Sequence, residues 1–167
     1  MKTLYIVRHA KSSWEDDALS DFERPLNERG KRDAPRMGKR LKEKDLHPDV
    51  MISSSARRAF STAKIIATAL NYPEARIVEE KKLYHANEDV MLSLLKHLND
   101  RNNTVMIFGH NPGLTDFANS LSEKKWVTDN IPTSGVIAFE LPIKLWNEIT
   151  FGSGKVLFFD YPKSRED

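Results

Sequence analysis

Three short runs in this 167-residue chain set reactive side chains directly after apolar segments. Arg8 and His9 follow "LYIV" (4–7). Ser53-Ser54-Ser55 and then Arg57-Arg58 follow "DVMI" (49–52). Gly109-His110-Asn111-Pro112-Gly113 follow "TVMIF" (104–108). Arginine offers a planar fork of donors that matches phosphoryl oxygens. A histidine ring nitrogen can attack phosphorus and form a covalent intermediate. A second histidine, if protonated, can stabilise charge on the equatorial oxygens of the transition state. Helices starting after Ser55 and after Asn111 would add unpaired backbone N–H groups. Brought together, the three runs make a cationic phosphate pocket that requires no cofactor and no metal.

Each run alone is weaker. An Arg-His pair is often incidental, "SSSARR" reads as a helix start with exposed basic residues, and "GHNPG" as a strand-to-helix turn. His47 and His97 read as ordinary histidines, one in a loop and one on a helix. His9, His85 and His110 could in principle bind zinc. Zinc sites usually recruit carboxylates or thiolates, whereas the neighbours here are arginines, which repel a cation.

The elements that must position these residues follow from pattern. "LYIV" (4–7) and "DVMIS" (49–53) read as buried strands, and "TVMIF" (104–108) as the clearest strand. "ARIVEE" (75–80) is a further strand candidate. Late strands are expected at "GVIAFEL" (135–141) and "KVLFF" (155–159). Asn27 is a plausible N-cap for a helix over 28–44. Pro35 interrupts that helix on paper, so it either kinks there or becomes regular only near Asp33. A second helix is expected over 56–70, with Ala59, Ala63, Ile66 and Leu70 inward. A third runs from Asn87 to about Leu98, with Leu92, Leu95 and Leu98 inward. The fourth starts at Pro112, which suits a first turn, and runs to about Leu121. Strands alternating with helices imply a single α/β domain over 1–167, with a mainly parallel central sheet and helices on both faces. In such sheets the ligand crevice lies at the carboxyl ends of the strands, which is where the three runs fall.

Composition narrows the classes. Net charge is +2, too balanced for a nucleic-acid binder on that ground. Arg24, Arg29, Lys31, Arg32, Arg36, Lys39 and Arg40 crowd one region and read as a solvated helix face. The longest apolar runs fall far short of the roughly 20 residues of a membrane helix, so no membrane partner is expected. The start of the chain lacks signal-peptide features. With no cysteine, there is no disulfide framework and no thiolate chemistry. A cytoplasmic location is the natural expectation. The oligomeric state is not legible.

Arg8-His9-Ala10, "SSSARRAFSTA" (53–63) and Gly109-His110 together resemble the histidine phosphatase superfamily, also called phosphoglycerate mutase-like. The resemblance covers most of the chain in order and spacing. The short length and "ERPLNERG" (23–30) look most like the SixA-type branch of small phosphohistidine phosphatases. This resemblance implies a phosphoglycerate mutase-like fold, with His9 as the phosphorylated nucleophile and Arg8 as a phosphate clamp. It makes Arg58 the second clamp, because Arg58 rather than Arg57 precedes Ala-x-x-Thr-Ala. His110 is then the second active-site histidine. Arg24 adds positive charge at the pocket mouth, and Ser12 and Asn111 stand as rim donors.

One departure matters. Many relatives place a glutamate in a Leu-x-Glu segment as general acid for the leaving group. Here the segment is Leu83-Tyr84-His85, so His85 stands where the carboxylate would be. Glu15, Asp16, Asp17, Glu79 and Glu80 are other conceivable donors. The chain also has little spare length for a lid, which favours a phosphatase over a mutase that must retain its intermediate. The expected substrate is a phosphohistidine protein, with a small phosphomonoester as the alternative. A phosphoprotein-binding module without turnover is a reading from a different class.

Overall fold

The apolar runs become strands that share one sheet. The computed structural model describes residues 1–165. Strands β1 (Lys2–Arg8), β2 (Val50–Ser53), β3 (Val78–Glu79), β4 (Thr104–Gly109), β5 (Val136–Leu141) and β6 (Lys155–Asp160) lie in the order β3-β2-β4-β1-β5-β6. The four strands from β3 to β1 are mutually parallel. Strand β5 runs antiparallel to β1, and β6 antiparallel to β5. Helices α1 (Glu28–Glu43), α2 (Arg57–Ala69), α3 (Glu88–Lys96) and α4 (Gly113–Leu121) fill the connections. This is the α/β architecture expected, a mainly parallel sheet with helices on both faces. Among the described residues no helix is long and apolar enough to cross a membrane.

Side chains alternate across a strand, and each face finds its own helices. Leu4, Ile6, Val105 and Ile107 pack with Met91, Leu95, Phe117 and Leu121, so α3 and α4 cover one face. Tyr5, Val7, Met106 and Phe108 pack with Met37, Leu41, Ile66 and Leu70, so α1 and α2 cover the other. Fully burying such a side chain contributes about 1.5–3 kcal/mol. The β1–β4 register sets Arg8 opposite Gly109. The two residues that follow, His9 and His110, therefore emerge side by side at the carboxyl end of the sheet.

Two close backbone approaches bring loops to that end. A Cβ on Gly30 would lie 2.2 Å from the Lys11 carbonyl oxygen, so the first turn of α1 rests on the backbone just past His9. A Cβ on Gly113 would lie 2.0 Å from the Ala86 carbonyl oxygen, so the start of α4 rests on the 84–86 segment. Any side chain at either position would force the two backbones apart.

Local expectations met mixed outcomes. Asn27 and Asn87 cap α1 and α3, accepting from the Gly30 and Val90 N–H groups. Helix α1 continues through Pro35. The proline is exposed and the carbonyl it cannot serve belongs to exposed Lys31, so water can replace the missing donor. Most of "ARIVEE" is not a strand: Glu74–Arg76 is a 3-10 turn and only Val78–Glu79 pairs with β2. Pro73 opens that turn, and the Tyr72 hydroxyl ties itself to the Arg76 carbonyl. On α3 the deeply buried positions are Met91 and Leu95 and Leu92 is half-buried; the helix stops at Lys96, short of the half-buried Leu98.

The cationic region is not uniformly solvated. Arg29, Arg32 and Arg36 gather around buried Asp33. Arg40 is 2% exposed. Its guanidinium donates to the carbonyls of Tyr161 and Pro162 at 2.9 Å and of Arg165 at 3.0 Å, and pairs with Asp160 at 3.2 Å. A buried charge survives only when paired and hydrogen-bonded, and the C-terminal segment supplies both. Arg40→Met should therefore cost about 3 kcal/mol, because it strands those acceptors and Asp160. That corresponds to a melting temperature roughly 6–12 °C lower. A melting curve that overlays wild type would show that the cup of carbonyls adds nothing.

Candidate active site

His9 is held by its backbone before its ring is considered. Its N–H donates to the Gly109 carbonyl at 3.2 Å, and its own carbonyl accepts from Ser134 N at 3.1 Å. The next N–H, of Ala10, donates to Thr62 Oγ1 at 2.9 Å, and the Thr62 hydroxyl donates to the Arg58 carbonyl at 2.8 Å. Thr62 thus locks α2 to the end of β1. His9 Nδ1 lies 2.7 Å from the Ala10 carbonyl oxygen. A carbonyl can only accept, so Nδ1 carries the hydrogen and Nε2 keeps a bare lone pair.

The imidazole is 7% exposed. Burial, followed by the nearby guanidiniums of Arg58, Arg8 and Arg24, lowers its pKa to about 4, with the Ala10 hydrogen bond opposing. His110, whose ring centroid lies 5.1 Å away, is lowered to about 3 by burial, then by His9 and Arg58. Both rings are therefore neutral at ordinary pH. This changes the role open to His110: it can act as a neutral N–H donor in the free protein, not as the protonated group considered from sequence.

The arginines converge from three segments. Arg8 donates through Nη1 to the Ile131 carbonyl at 2.9 Å, and Arg58 is buried at the start of α2. The Nε atoms of both are buried without a partner among the described residues. Burial and then Arg58 lower the Arg8 pKa. Arg24 is also buried; it donates to Ser12 Oγ at 2.6 Å and stacks 3.4 Å from the exposed Trp14 ring. Arg57, by contrast, is exposed.

Asp21 had no place in the sequence reading. Its carbonyl accepts from Arg58 Nη1 at 2.6 Å, and its carboxylate pairs with Arg58 Nη2 and Arg24 Nη2, each at 3.0 Å. The Tyr84 hydroxyl donates to the same carboxylate. That hydroxyl first, with the two guanidiniums adding to it, holds the Asp21 carboxyl well below the usual range although burial opposes them. Tyr84 in turn forms a wall, with its ring 5.4 Å from His110 and 4.0 Å from His85. The available signal was the Asp21–Arg24 spacing of three, but Asp16, Asp17 and Glu23 in the same loop are no less suggestive.

The remaining sequence-picked residues divide. His85 is exposed on the wall of a cavity of about 210 Å³ that also includes His110, Asn111 and Asp116. Ser12 is occupied by Arg24. Asn111 spends its amide on Asn130 and the Ile131 carbonyl, and its oxygen on Thr115. It therefore bears on the site through the carbonyl that Arg8 also uses. Glu15, Asp16 and Asp17 lie exposed, and Glu80 caps the turn at Lys81–Leu83. Asp116 is the carboxylate on the cavity wall that sequence reasoning missed. Among the described residues no three His, Cys, Asp or Glu side chains assemble as a metal site.

A family model described as histidine phosphatase superfamily (branch 1) matches residues 4–88. An uncharacterised chloroplast protein of Arabidopsis thaliana is 30% identical over 129 residues, covering 72% of this chain and 59% of that protein. The chain thus spans about three-fifths of that relative. A structure from Agrobacterium tumefaciens, assigned as the phosphohistidine phosphatase SixA, superposes with TM-score 0.81 at 25% identity. It covers 96% of this chain and 98% of that one. The protein histidine phosphatase SixA complexed with tungstate shares the fold at TM-score 0.82 and 22% identity, over 97% and 98% of the two chains.

The neutral rings give the pH dependence a definite sign. In the unfolded chain both histidines take up a proton near pH 6.5; in the ligand-free fold they do so only near 4 and 3. Their stabilising contribution is complete above about pH 6.5 and is lost as pH falls through that window. NMR titration of the ring protons should show no protonation of His9 or His110 until pH nears 4, while thermal stability should already decline as pH falls below about 6.5. Rings titrating near 6.5 would refute this reading.

Proposed function

This chain belongs to the histidine phosphatase superfamily, branch 1, and is a phosphatase; within that class we propose that it hydrolyses phosphohistidine on proteins. The observation that carries the proposal is His9 itself: neutral, anchored through Nδ1, with a bare Nε2 in the field of Arg8 and Arg58, whose Nε atoms have no partner among the described residues. In the first step Nε2 attacks phosphorus, a P–N bond to His9 forms, and the bond to the leaving group breaks. In the second, water attacks the phosphoryl group and releases inorganic phosphate, returning neutral His9. Arg8, Arg58 and an N–H of His110 stabilise the equatorial oxygens throughout.

The leaving group favours a phosphoramidate. An alkoxide needs a well-placed general acid, a contribution of about 10²–10⁴-fold. A phosphohistidine ring, with a reference imidazole pKa of about 6.5, can take a proton on its other nitrogen and depart as neutral imidazole. At Leu83-Tyr84-His85 the chain offers an exposed histidine in place of a carboxylate. The similarity to SixA proteins supports the same substrate class. Asp116, on the cavity wall, favours the second reading, a small phosphomonoester.

The test compares kcat/KM for a histidine-phosphorylated protein made with phosphoramidate, an aryl phosphate and a sugar phosphate. The phosphoprotein and the aryl ester should exceed the sugar phosphate; a sugar phosphate favoured by about tenfold or more would overturn the assignment. His9→Ala should abolish turnover while the fold persists. Rapid quench should trap an acid-labile, alkali-stable adduct on His9, and an adduct on serine or aspartate would identify another nucleophile.

The two adjacent arginines supply a sharper check. Arg58→Ala should lower kcat/KM by on the order of 10²–10³-fold, whereas Arg57→Ala, at an exposed position, should change it little. Equal, mild losses would mean that Arg58 is not the clamp.

A further inference from the structure

The two ring nitrogens of His110 meet different fates. Nε2 lies 2.8 Å from Ser54 Oγ. Nδ1 is buried and has no partner among the described residues. Buried polar atoms without a partner are uncommon and call for an explanation. The same condition holds for Arg8 Nε and Arg58 Nε, whose guanidiniums act electrostatically on His9.

We infer that Ser54 donates its hydroxyl hydrogen to His110 Nε2 and so fixes the imidazole in the tautomer with its hydrogen on Nδ1, the nitrogen left free for a phosphoryl oxygen. Ser54 is then a positioning residue, acting on the reaction through His110. The inference rests on the reading of His110 as a hydrogen-bond donor to the phosphoryl oxygens and adds the group that makes it one.

The geometry around Ser54 is specific. The residue is fully buried between the end of β2 and the start of α2. Its oxygen already accepts the Ala56 N–H at 3.2 Å. Its hydroxyl hydrogen then has His110 Nε2 as its acceptor. A hydroxyl can also accept from an imidazole N–H, so the serine alone permits either direction; the ligand decides. Burial keeps the ring neutral, so it has one hydrogen for two nitrogens. With that hydrogen on Nε2, a lone pair at Nδ1 would face an oxyanion. With it on Nδ1, the ring offers the oxyanion a donor and Nε2 accepts from Ser54.

The two histidines then carry the same tautomer to opposite ends. His9 spends its Nδ1 hydrogen on the Ala10 carbonyl and presents a lone pair. His110 spends its Nε2 lone pair on Ser54 and presents a hydrogen. A single pair of neutral rings thereby supplies both nucleophile and electrophilic donor. The Ser54 backbone N–H bonds to the Phe108 carbonyl at 3.0 Å, so the strand that delivers His110 also fixes the serine that orients it.

Long-range ¹⁵N–¹H correlation spectra of the wild type saturated with tungstate, an oxyanion standing in for the phosphoryl group, read each ring's tautomer directly. His110 should show a protonated Nδ1 and a bare Nε2; the reverse pattern overturns the inference without any variant and leaves the phosphatase reading intact. Ser54→Ala should make the His110 tautomer mixed or reversed. It should also lower kcat on an aryl phosphate by about 10–100-fold, the range typical of partners that orient functional histidines, with KM changed less. Ser54→Thr, which retains the hydroxyl, should recover the wild-type tautomer and a substantial part of the rate. Full activity and an unchanged tautomer in folded Ser54→Ala would refute the role. Wild type inactive on every phosphorylated substrate would instead refute the phosphatase reading, with the spectra still deciding Ser54.

Discussion

The site depends on like charges held close together. Three guanidiniums, from Arg8, Arg24 and Arg58, crowd two buried imidazoles, and the Asp21 carboxylate stands between two of them. Three positive charges against one negative leave two, which matches a phosphoryl dianion of about −1.5 to −2. The protein meets the cost of this excess by keeping both histidines neutral and by tethering each arginine to oxygens of its own: Ile131 for Arg8, Ser12 for Arg24, Asp21 for Arg58. Under the proposed function, substrate arrives as the missing counter-charge, into donors held in place beforehand.

This arrangement explains why a parallel sheet serves the chemistry. Pairing of β1 with β4 puts Arg8 level with Gly109, so two histidines from distant parts of the chain arrive together without a loop having to find its place. Thr62 then couples the second strand crossing to the first by bonding both Ala10 and Arg58. Loops contribute what the sheet cannot, namely Asp21, Tyr84 and the exposed His85.

Much of this was legible in the chain itself, and the reasons differ by residue. Arg8, His9 and Arg58 stand out because they follow apolar runs or lie in a spaced motif. Asn27 and Asn87 announce helix starts because a cap is a local contact. The omissions are contacts across long stretches of sequence. Asp21 reaches Arg58 and Tyr84, 37 and 63 residues away, from an acidic loop in which several neighbours look alike. Arg40 reads as a surface charge because the carbonyls that bury it lie more than 120 residues away. "ARIVEE" has strand composition but only two partner positions on β2, so most of it curls into a turn. Ser12 and Asn111 were noticed for their donors; Asn111 spends its amide hydrogens inside the protein, and the Ser12 oxygen accepts from Arg24.

The contact of Gly113 with the Ala86 carbonyl carries a consequence for how such a protein can diversify. With 2.0 Å between that oxygen and a hypothetical Cβ, the backbone of the 84–86 segment is welded to the start of α4. The wall bearing Tyr84 and His85 cannot be reshaped by loop drift or by insertions without shifting the helix that follows His110. New substrate preferences must then come through single side-chain exchanges on a rigid frame. Position 85, exposed and carrying no hydrogen bond among those observed, is where such an exchange would disturb that frame least.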